Sequence, residues 1–236
     1  MSQPRAGRVD VPYEALQAEL PAGVSSVLVF GGSFDPPTRA HIELPALARD
    51  RAGLEWLLYI PAAESPGKGA HPTARGEDRV AMLHAALEGR ERCSVSTIEL
   101  DRVQRQPGPS YTVDTLRELR QRLGEGVRLR LLIGADQAAS FHTWREPHRI
   151  LELAEPLVML RTPAESARGV WARMAPHWPE DEGAAWRSRV VELPTIDASS
   201  TEARRLLRAG GPDAPGLDRL VPEGAIRIIR ERGLYR

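Results

Sequence analysis

The sequence predicts an α/β fold, a doubly wound parallel sheet with helices on both faces. Two features predict it. Short apolar runs, most of them rich in Val, Ile and Leu, alternate along the chain with longer stretches of helical character, the order expected of strands joined by crossover helices. The first run, Val27-Leu28-Val29-Phe30, passes directly into Gly31-Gly32 and a rigid Pro36-Pro37 loop, as a buried strand does when it ends in a tight turn. The chain has 236 residues, 42% of them hydrophobic and 27% charged, enough to bury a proper core within one domain.

Residues 1 to about 23 are interrupted by Pro and Gly, with a short helical patch from Tyr13 to Leu20. Residues 1–25 read as an N-terminal extension and 26–236 as a single domain. Strands are expected at Ser26–Phe30, Glu55–Ile60, Cys93–Leu100, Arg128–Ile133, Leu157–Arg161 and Arg189–Leu193, each containing an apolar or β-branched run. The stretches between them predict helices at His41–Arg51, Gly76–Glu88, Thr112–Leu123, Pro147–Ala154, Thr201–Ala209 and Glu223–Arg232. Pro45 falls inside the first helix and is expected to kink it, because its ring clashes with the carbonyl four residues earlier. Residues 162–187 break the rhythm and hold Trp171, Trp178 and Trp186, three of the five tryptophans. They read as an insertion, either folded over the sheet or facing a substrate, with packing the simpler role for the indoles.

Charge narrows the function classes. Lys+Arg and Asp+Glu both number 32, so the formal net charge is zero, and the broad basic footprint of a nucleic-acid-binding protein is missing. Basic side chains are nearly all arginine, which leaves Lys68 as the only lysine. The one cysteine, Cys93, excludes an intrachain disulfide or a cysteine-rich zinc site and is expected to be a buried structural thiol. No apolar run has the length needed to span a membrane, and the N-terminus lacks a basic-then-apolar signal pattern. The protein is therefore expected to be cytoplasmic.

Two segments combine groups that suit phosphate. In Gly31-Gly32-Ser33-Phe34-Asp35-Pro36-Pro37-Thr38-Arg39-Ala40-His41, the glycines let the backbone approach a ligand. The helix start that follows supplies free N–H groups and the positive end of its dipole. Thr38 and His41 are three residues apart and share one helix face. The ordinary alternative, a tight turn followed by a cap histidine, needs no ligand. In Ile196-Asp197-Ala198-Ser199-Ser200-Thr201-Glu202-Ala203-Arg204, Ser199 and Glu202 form a capping box that starts a helix. A capping box needs no ligand either. Yet three hydroxyls, free N–H groups and the Arg204 guanidinium on the face of Thr201 together suit a polyphosphate.

The order Gly-Gly-Ser-Phe-Asp-Pro followed by Thr-x-x-His resembles the signature of the nucleotidyltransferase superfamily that carries a His/Thr-x-Gly-His motif. Thr38 stands at its first position and Ala40 replaces the glycine. Ser199, Ser200, Thr201 and Arg204 match that superfamily's Ile-Ser-Ser-Thr-x-x-Arg element, with Ala203 in place of an Ile. The segments between are similar to those of bacterial nicotinate-nucleotide adenylyltransferases: Gly108-Pro109-Ser110-Tyr111-Thr112 through Thr115-Leu116, Ile133-Gly134-Ala135-Asp136 followed by Trp144, Ser65-Pro66-Gly67-Lys68, and the Leu234-Tyr235 ending. The resemblance covers about residues 26–236 apart from the tryptophan-rich insertion, and implies a Rossmann-like nucleotidyltransferase domain.

That resemblance implies adenylyl transfer from ATP to nicotinate mononucleotide, giving deamido-NAD and pyrophosphate in NAD biosynthesis. Its catalytic residues are His41, donating to an α-phosphate oxygen, Thr38 through its hydroxyl, Arg204, and Lys68 as a mobile charge. Gly31, Gly32, Ser33 and Phe34 line the floor where ATP meets the second nucleotide, and Ser199, Ser200 and Thr201 hold the β- and γ-phosphates. Trp144 stacks on the nicotinate ring, Thr112 lies near its carboxylate, and Asp136 contacts a ribose hydroxyl. Mg²⁺ held mainly by the substrate phosphates is the implied cofactor, with no protein metal site. Two alternatives stay open: nicotinamide mononucleotide or another acceptor, and a non-catalytic nucleotide-binding relative. Oligomeric state is also open, a homo-oligomer included.

Overall fold

The computed structural model describes residues 20–63, 72–161 and 166–236, and within them strands and helices alternate. The order is β1 (Ser26–Gly32), α1 (Arg39–Arg51), β2 (Trp56–Pro61), α2 (Gly76–Ala86), β3 (Cys93–Val95), α3 (Ile98–Arg105), α4 (Thr112–Leu123), β4 (Arg128–Gly134), α5 (Ala135–Ala139), α6 (Pro147–Leu153), β5 (Glu155–Arg161), α7 (Ala167–Met174), α8 (Glu182–Ser188), β6 (Val190–Leu193), α9 (Ser200–Gly210), α10 (Leu217–Leu220) and α11 (Glu223–Arg232). Most of the N-terminal extension and the segment carrying Lys68 lie outside the described residues.

The six strands form one sheet in the order β3-β2-β1-β4-β5-β6, and every neighbouring pair is parallel. This is the doubly wound, Rossmann-like arrangement. Strand β1 is central, with Val29 opposite Leu58 of β2 on one side and Leu131 of β4 on the other. The winding reverses between β1 and β4, and in such sheets the crevice outside the carboxyl ends of these two strands is where ligands bind.

Alternate residues of β1 feed two separate cores. Leu28 and Phe30 pack with Leu57, Tyr59 and Leu132 beneath apolar side chains of α1, α2, α9 and α11. Val27 and Val29 pack with Leu58, Leu129 and Leu131 beneath those of α4 and α6. A strand covered on both faces has no polar side to alternate with, which is why these runs read as continuously apolar. Trp178 and Trp186 belong to the second core, 6% and 2% exposed, with the Phe141 ring edge-on to Trp186 at 5.4 Å. Helices α7 and α8 thus lie on the α4–α6 face, and Ser166 starts the first of them by accepting from the Gly169 N–H.

The structure corrects the sequence reading in places. The strand expected over Cys93–Leu100 stops at Val95, and helix α3 begins at Ile98. Thr97 precedes it with its hydroxyl donating to Asp101, and Glu99 and Asp101 place acid in the first turn, where the helix dipole favours it. Cys93 is half-buried rather than buried, its thiol directed at the Arg90 carbonyl, and burial pushes its pKa up. Helix α1 holds Pro45 within its Arg39–Arg51 span, which leaves the expected kink neither shown nor contradicted, and the Tyr59 hydroxyl donates to the Ile42 carbonyl in the turn ahead of the proline. Among the described residues no helix is long and apolar enough to cross a membrane.

Candidate functional site

The loop from β1 to α1 and the loop from β6 to α9 meet beside the carboxyl end of β1, and three hydrogen bonds join them. Thr38 Oγ1 donates to the Ala198 carbonyl at 3.1 Å, Ser200 Oγ to the Pro36 carbonyl at 2.8 Å, and Arg204 Nη1 to the Asp35 carbonyl at 2.6 Å. Two helix N-termini are thereby fastened side by side. Each brings backbone N–H groups without an intrahelical partner and a positive dipole end, so the junction suits an anion.

His41 lies in the first turn of α1, half-buried, its ring edge-on to Phe34 at 5.4 Å. The backbone N–H of Thr38 donates to His41 Nδ1 at 3.1 Å. An amide nitrogen can only donate, so Nδ1 must present its lone pair, and the proton of the neutral ring is on Nε2. Thr38 itself is fully buried. Its hydroxyl is committed to Ala198 and lies 2.9 Å from His41 Nδ1. The hydroxyl proton of Thr38 goes to the Ala198 carbonyl, so its backbone N–H is the group that orients His41, and a phosphate contact through the hydroxyl would need that bond to be exchanged.

The floor of the site is the turn Gly31–Asp35. A Cβ at Gly32 would come within 2.9 Å of the Phe34 ring, so this position admits no side chain without moving that ring. Phe34 is buried with a left-handed backbone, φ 50°, a conformation that costs a non-glycine residue about 1–3 kcal/mol. Its neighbours hold it there. Arg79, 2% exposed, donates from Nη1 to the Ser33 carbonyl at 2.7 Å. The Asp35 carboxylate, 4% exposed, accepts from the Thr73 and Ala74 N–H groups at 2.7 and 3.0 Å and from the Tyr235 hydroxyl at 2.7 Å. Burial pushes the pKa of Arg79 down while the nearby Asp35 charge opposes it.

On the α9 side, Ser199 caps the helix by accepting from the Glu202 N–H at 3.1 Å. The reciprocal half of the expected capping box is replaced, because the Glu202 carboxylate binds Arg205 at 2.8 and 2.6 Å. Thr201 is exposed and close to Arg204, whose Nη2 lies 3.4 Å from its hydroxyl. The Ser200 hydroxyl proton is spent on Pro36, which leaves its backbone N–H as the group it can offer.

Across the crevice, β4 ends in Gly134 and α5 begins at once. Asp136 in that helix has its side chain 92% exposed and pairs with Arg173 of α7 at 3.1 Å. Trp144 is half-buried and tilted against Phe141 at 5.0 Å, and Thr112, also half-buried, opens α4. Behind Thr112, Glu99 is 9% exposed and accepts from the Thr115 hydroxyl at 2.9 Å and the Ala63 N–H at 3.4 Å. Burial pushes the Glu99 carboxyl pKa up, and Thr115 and Arg102 oppose the shift.

Sequence reasoning gave no role to Arg79, Glu99 or Tyr235, which the structure places around the candidate site. Tyr235 was visible only as part of a chain ending, and nothing in the pattern around Arg79 marks it as buried. Asp35 lay within the first motif without a role. Among the described residues no three His, Cys, Asp or Glu side chains are grouped to hold a metal ion. The donors gathered here are N–H, O–H and guanidinium groups, which grip anions.

A cytidylyltransferase-like family model matches residues 29–206. A probable nicotinate-nucleotide adenylyltransferase of Roseiflexus sp. is 36% identical over 208 residues, spanning 88% of this chain and 96% of that protein. One from Chromobacterium violaceum is 32% identical over 215 residues, spanning 88% and 97%, and one from Salinispora arenicola is 31% identical over 205 residues, spanning 87% and 98%. Among solved structures, Plasmodium falciparum nicotinic acid mononucleotide adenylyltransferase complexed with NaAD superposes with a TM-score of 0.66 at 16% identity, covering 89% of this chain and 97% of that one. At that identity the likeness shows the fold.

Proposed function

Since the chain belongs to the cytidylyltransferase-like family and is related over most of its length to nicotinate-nucleotide adenylyltransferases, we infer that it transfers the adenylyl group of ATP to nicotinate mononucleotide, giving deamido-NAD and pyrophosphate in NAD biosynthesis. The structural observation that carries this reading is the junction of α1 and α9, where Thr38, Ser200 and Arg204 fasten two anion-binding helix starts beside the end of β1.

The phosphate of the mononucleotide attacks the α-phosphorus of ATP, the bond to the β-phosphate breaks, and the electron pair leaves with pyrophosphate. The substrate supplies the nucleophile, so the protein's work is to align two anions and to stabilise charge growing between them. His41 donates from Nε2 to a non-bridging α-phosphate oxygen. The Thr38 N–H bond to Nδ1 supports this, since it makes the ring a donor even when neutral. Gly31 and Gly32 let the nucleotide lie against the end of β1. The first N–H groups of α9, with Ser199, Thr201 and Arg204, hold the β- and γ-phosphates, and Lys68, assigned by resemblance, adds charge there. A Mg²⁺ ion held by the substrate phosphates would add neutralisation of charge, and Ser199, Thr201 and Arg204 would grip the phosphates rather than the ion.

Trp144 offers a ring face for the nicotinate, Thr112 and the α4 N-terminus a place for its carboxylate, and Asp136 an acceptor for a ribose hydroxyl. The reading requires neither nucleic acid nor a membrane and puts the reaction in the cytoplasm. Pyrophosphate release from ATP and Mg²⁺, with nicotinate mononucleotide compared against its amide, tests it. Preference for the acid is the expected result. Equal or reversed preference would move the acceptor, and release with neither would overturn the transferase reading.

A further inference from the structure

The Tyr235 side chain enters the protein between α2 and the β1–α1 loop. It is 7% exposed, its hydroxyl 2.7 Å from Asp35 Oδ1 and 3.9 Å from the Met82 sulfur. Burial, with the Asp35 charge beside it, holds the phenol far above its ordinary pKa, so it stays a donor. The backbone bends to deliver it: Gly233 at φ 62° ends α11 and Tyr235 itself is left-handed at φ 63°. A bulky residue keeps that conformation only where its surroundings compel it. Phe34, directly before Asp35, is the other left-handed residue at this contact, with φ 50°. The shared partner is the Asp35 carboxylate, which also holds the N–H groups of Thr73 and Ala74, while its backbone carbonyl receives Arg204.

We propose that Tyr235 is a positioning residue for adenylyl transfer. Through Asp35, its hydroxyl sets the turn Gly31–Asp35 against the backbone at Thr73–Ala74 and against Arg204 of α9. The chain after α11 is thus a latch on the phosphate site, although Tyr235 touches no substrate. This rests on the adenylyltransferase reading above. The geometry explains why the bond matters more than its one hydroxyl. A buried carboxylate needs its donors, and one taken away loosens the remaining two together with the strained Phe34 turn.

The test uses the full chain and Tyr235→Phe, which keeps the ring and removes only the oxygen, with Arg236→Ala as a control on the exposed neighbour. Pyrophosphate release is measured well below each protein's own unfolding midpoint, alongside hydrogen exchange at the Thr73 and Ala74 amides and the ATP dissociation constant. Y235F is expected to lower kcat/KM for ATP about tenfold, the factor reached when one hydrogen bond to a charged group is lost. The two amides should exchange faster, and R236A should change neither. Asp35→Asn, which removes the charge and one of the two acceptor oxygens of the shared carboxylate, should reproduce the pattern should Y235F fold poorly. Activity within twofold of the parent, or a lowered midpoint with kcat/KM and exchange unchanged, overturns the proposal. If the parent releases no pyrophosphate, the transferase reading fails instead. The latch is then judged by ATP affinity and amide exchange, and a Y235F that alters neither rejects it.

Discussion

The backbone N–H of Thr38 donates to Nδ1 of His41 at 3.1 Å, and this one bond decides which ring nitrogen carries the proton. It also fixes the tautomer of the neutral ring: Nδ1 is anchored to the helix start, and Nε2 carries the proton. His41→Ala should therefore lower kcat about 100- to 1,000-fold, as removal of one positioned donor does, with little change in ATP binding. His41→Asn, whose side-chain oxygen can still accept from Thr38, should fold as the parent does and lose activity as the alanine variant does. Steady-state pyrophosphate release decides it, and near-parental activity in H41N would show that Nε2 does no work.

Arg79 is buried with its guanidinium on the Ser33 carbonyl. Arg79→Met keeps the bulk of the stem but leaves that carbonyl without its donor, a loss of about 1–3 kcal/mol of stability. Urea unfolding should show this as a lower midpoint with an unchanged slope, and an unchanged midpoint would mean that the Ser33 turn needs no support.

Glu99 makes stability depend on pH. Its carboxyl pKa is raised on folding, so the folded chain binds the proton more tightly than the unfolded one. The stability it contributes is full below the ordinary value of 4.5 and is lost as pH climbs through the raised one. Glu99→Gln has no such titration. The unfolding midpoint of E99Q relative to the parent should therefore rise as pH is taken upward from 4.5, and a difference that stays level with pH would contradict the assignment.

Trp144 is assigned to the mononucleotide and not to ATP. Trp144→Ala should weaken binding of the mononucleotide by about 1–3 kcal/mol, the range for loss of an aromatic stacking partner. The KM for ATP should hold. Equal losses for both substrates would point to collapse of the wall around Phe141 instead.

Among the described residues the indole N–H groups of Trp178 and Trp186 are buried without hydrogen-bond partners, so these side chains act through their ring faces, packed in the core and, for Trp186, beneath the Arg189 guanidinium at 4.9 Å. Trp186→Ala should cost about 3–5 kcal/mol, whereas Trp186→Phe should cost far less, since no bond is lost with the N–H. Calorimetric midpoints of the two variants should separate clearly. Similar losses would show that the nitrogen has a partner.

Much of this architecture was legible because a strand covered on both faces must be apolar throughout. Val27–Phe30 and Leu131–Ile133 lie in strands for that reason, although β4 opens on Arg128 and Arg130, and Thr112–Leu123 and Glu223–Arg232 match their helices residue for residue. Cys93–Leu100 misled because Ile98 looks like the end of a β-branched run, while its burial is achieved from a helix. In the site, the two phosphate segments could be found since glycines, hydroxyls and an arginine recur at spacings set by helix geometry. Their contact could not, nor could the spending of the Thr38 and Ser200 hydroxyls on carbonyls of the opposite loop. Hydrogen bonds between residues that far apart leave no local pattern, and the same holds for Asp35 with Tyr235.

Thr38 and Ala198 are 160 residues apart in the chain, which carries a consequence for biosynthesis. Contacts of such long range close late, after the entropy of the intervening loop has been lost. A nascent chain on the ribosome can build β1, α1 and much of the sheet while the partner loop before α9 is still unmade. The two loops can therefore be joined only after the segment before α9 has been made, so their contact is among the last parts of the fold to close.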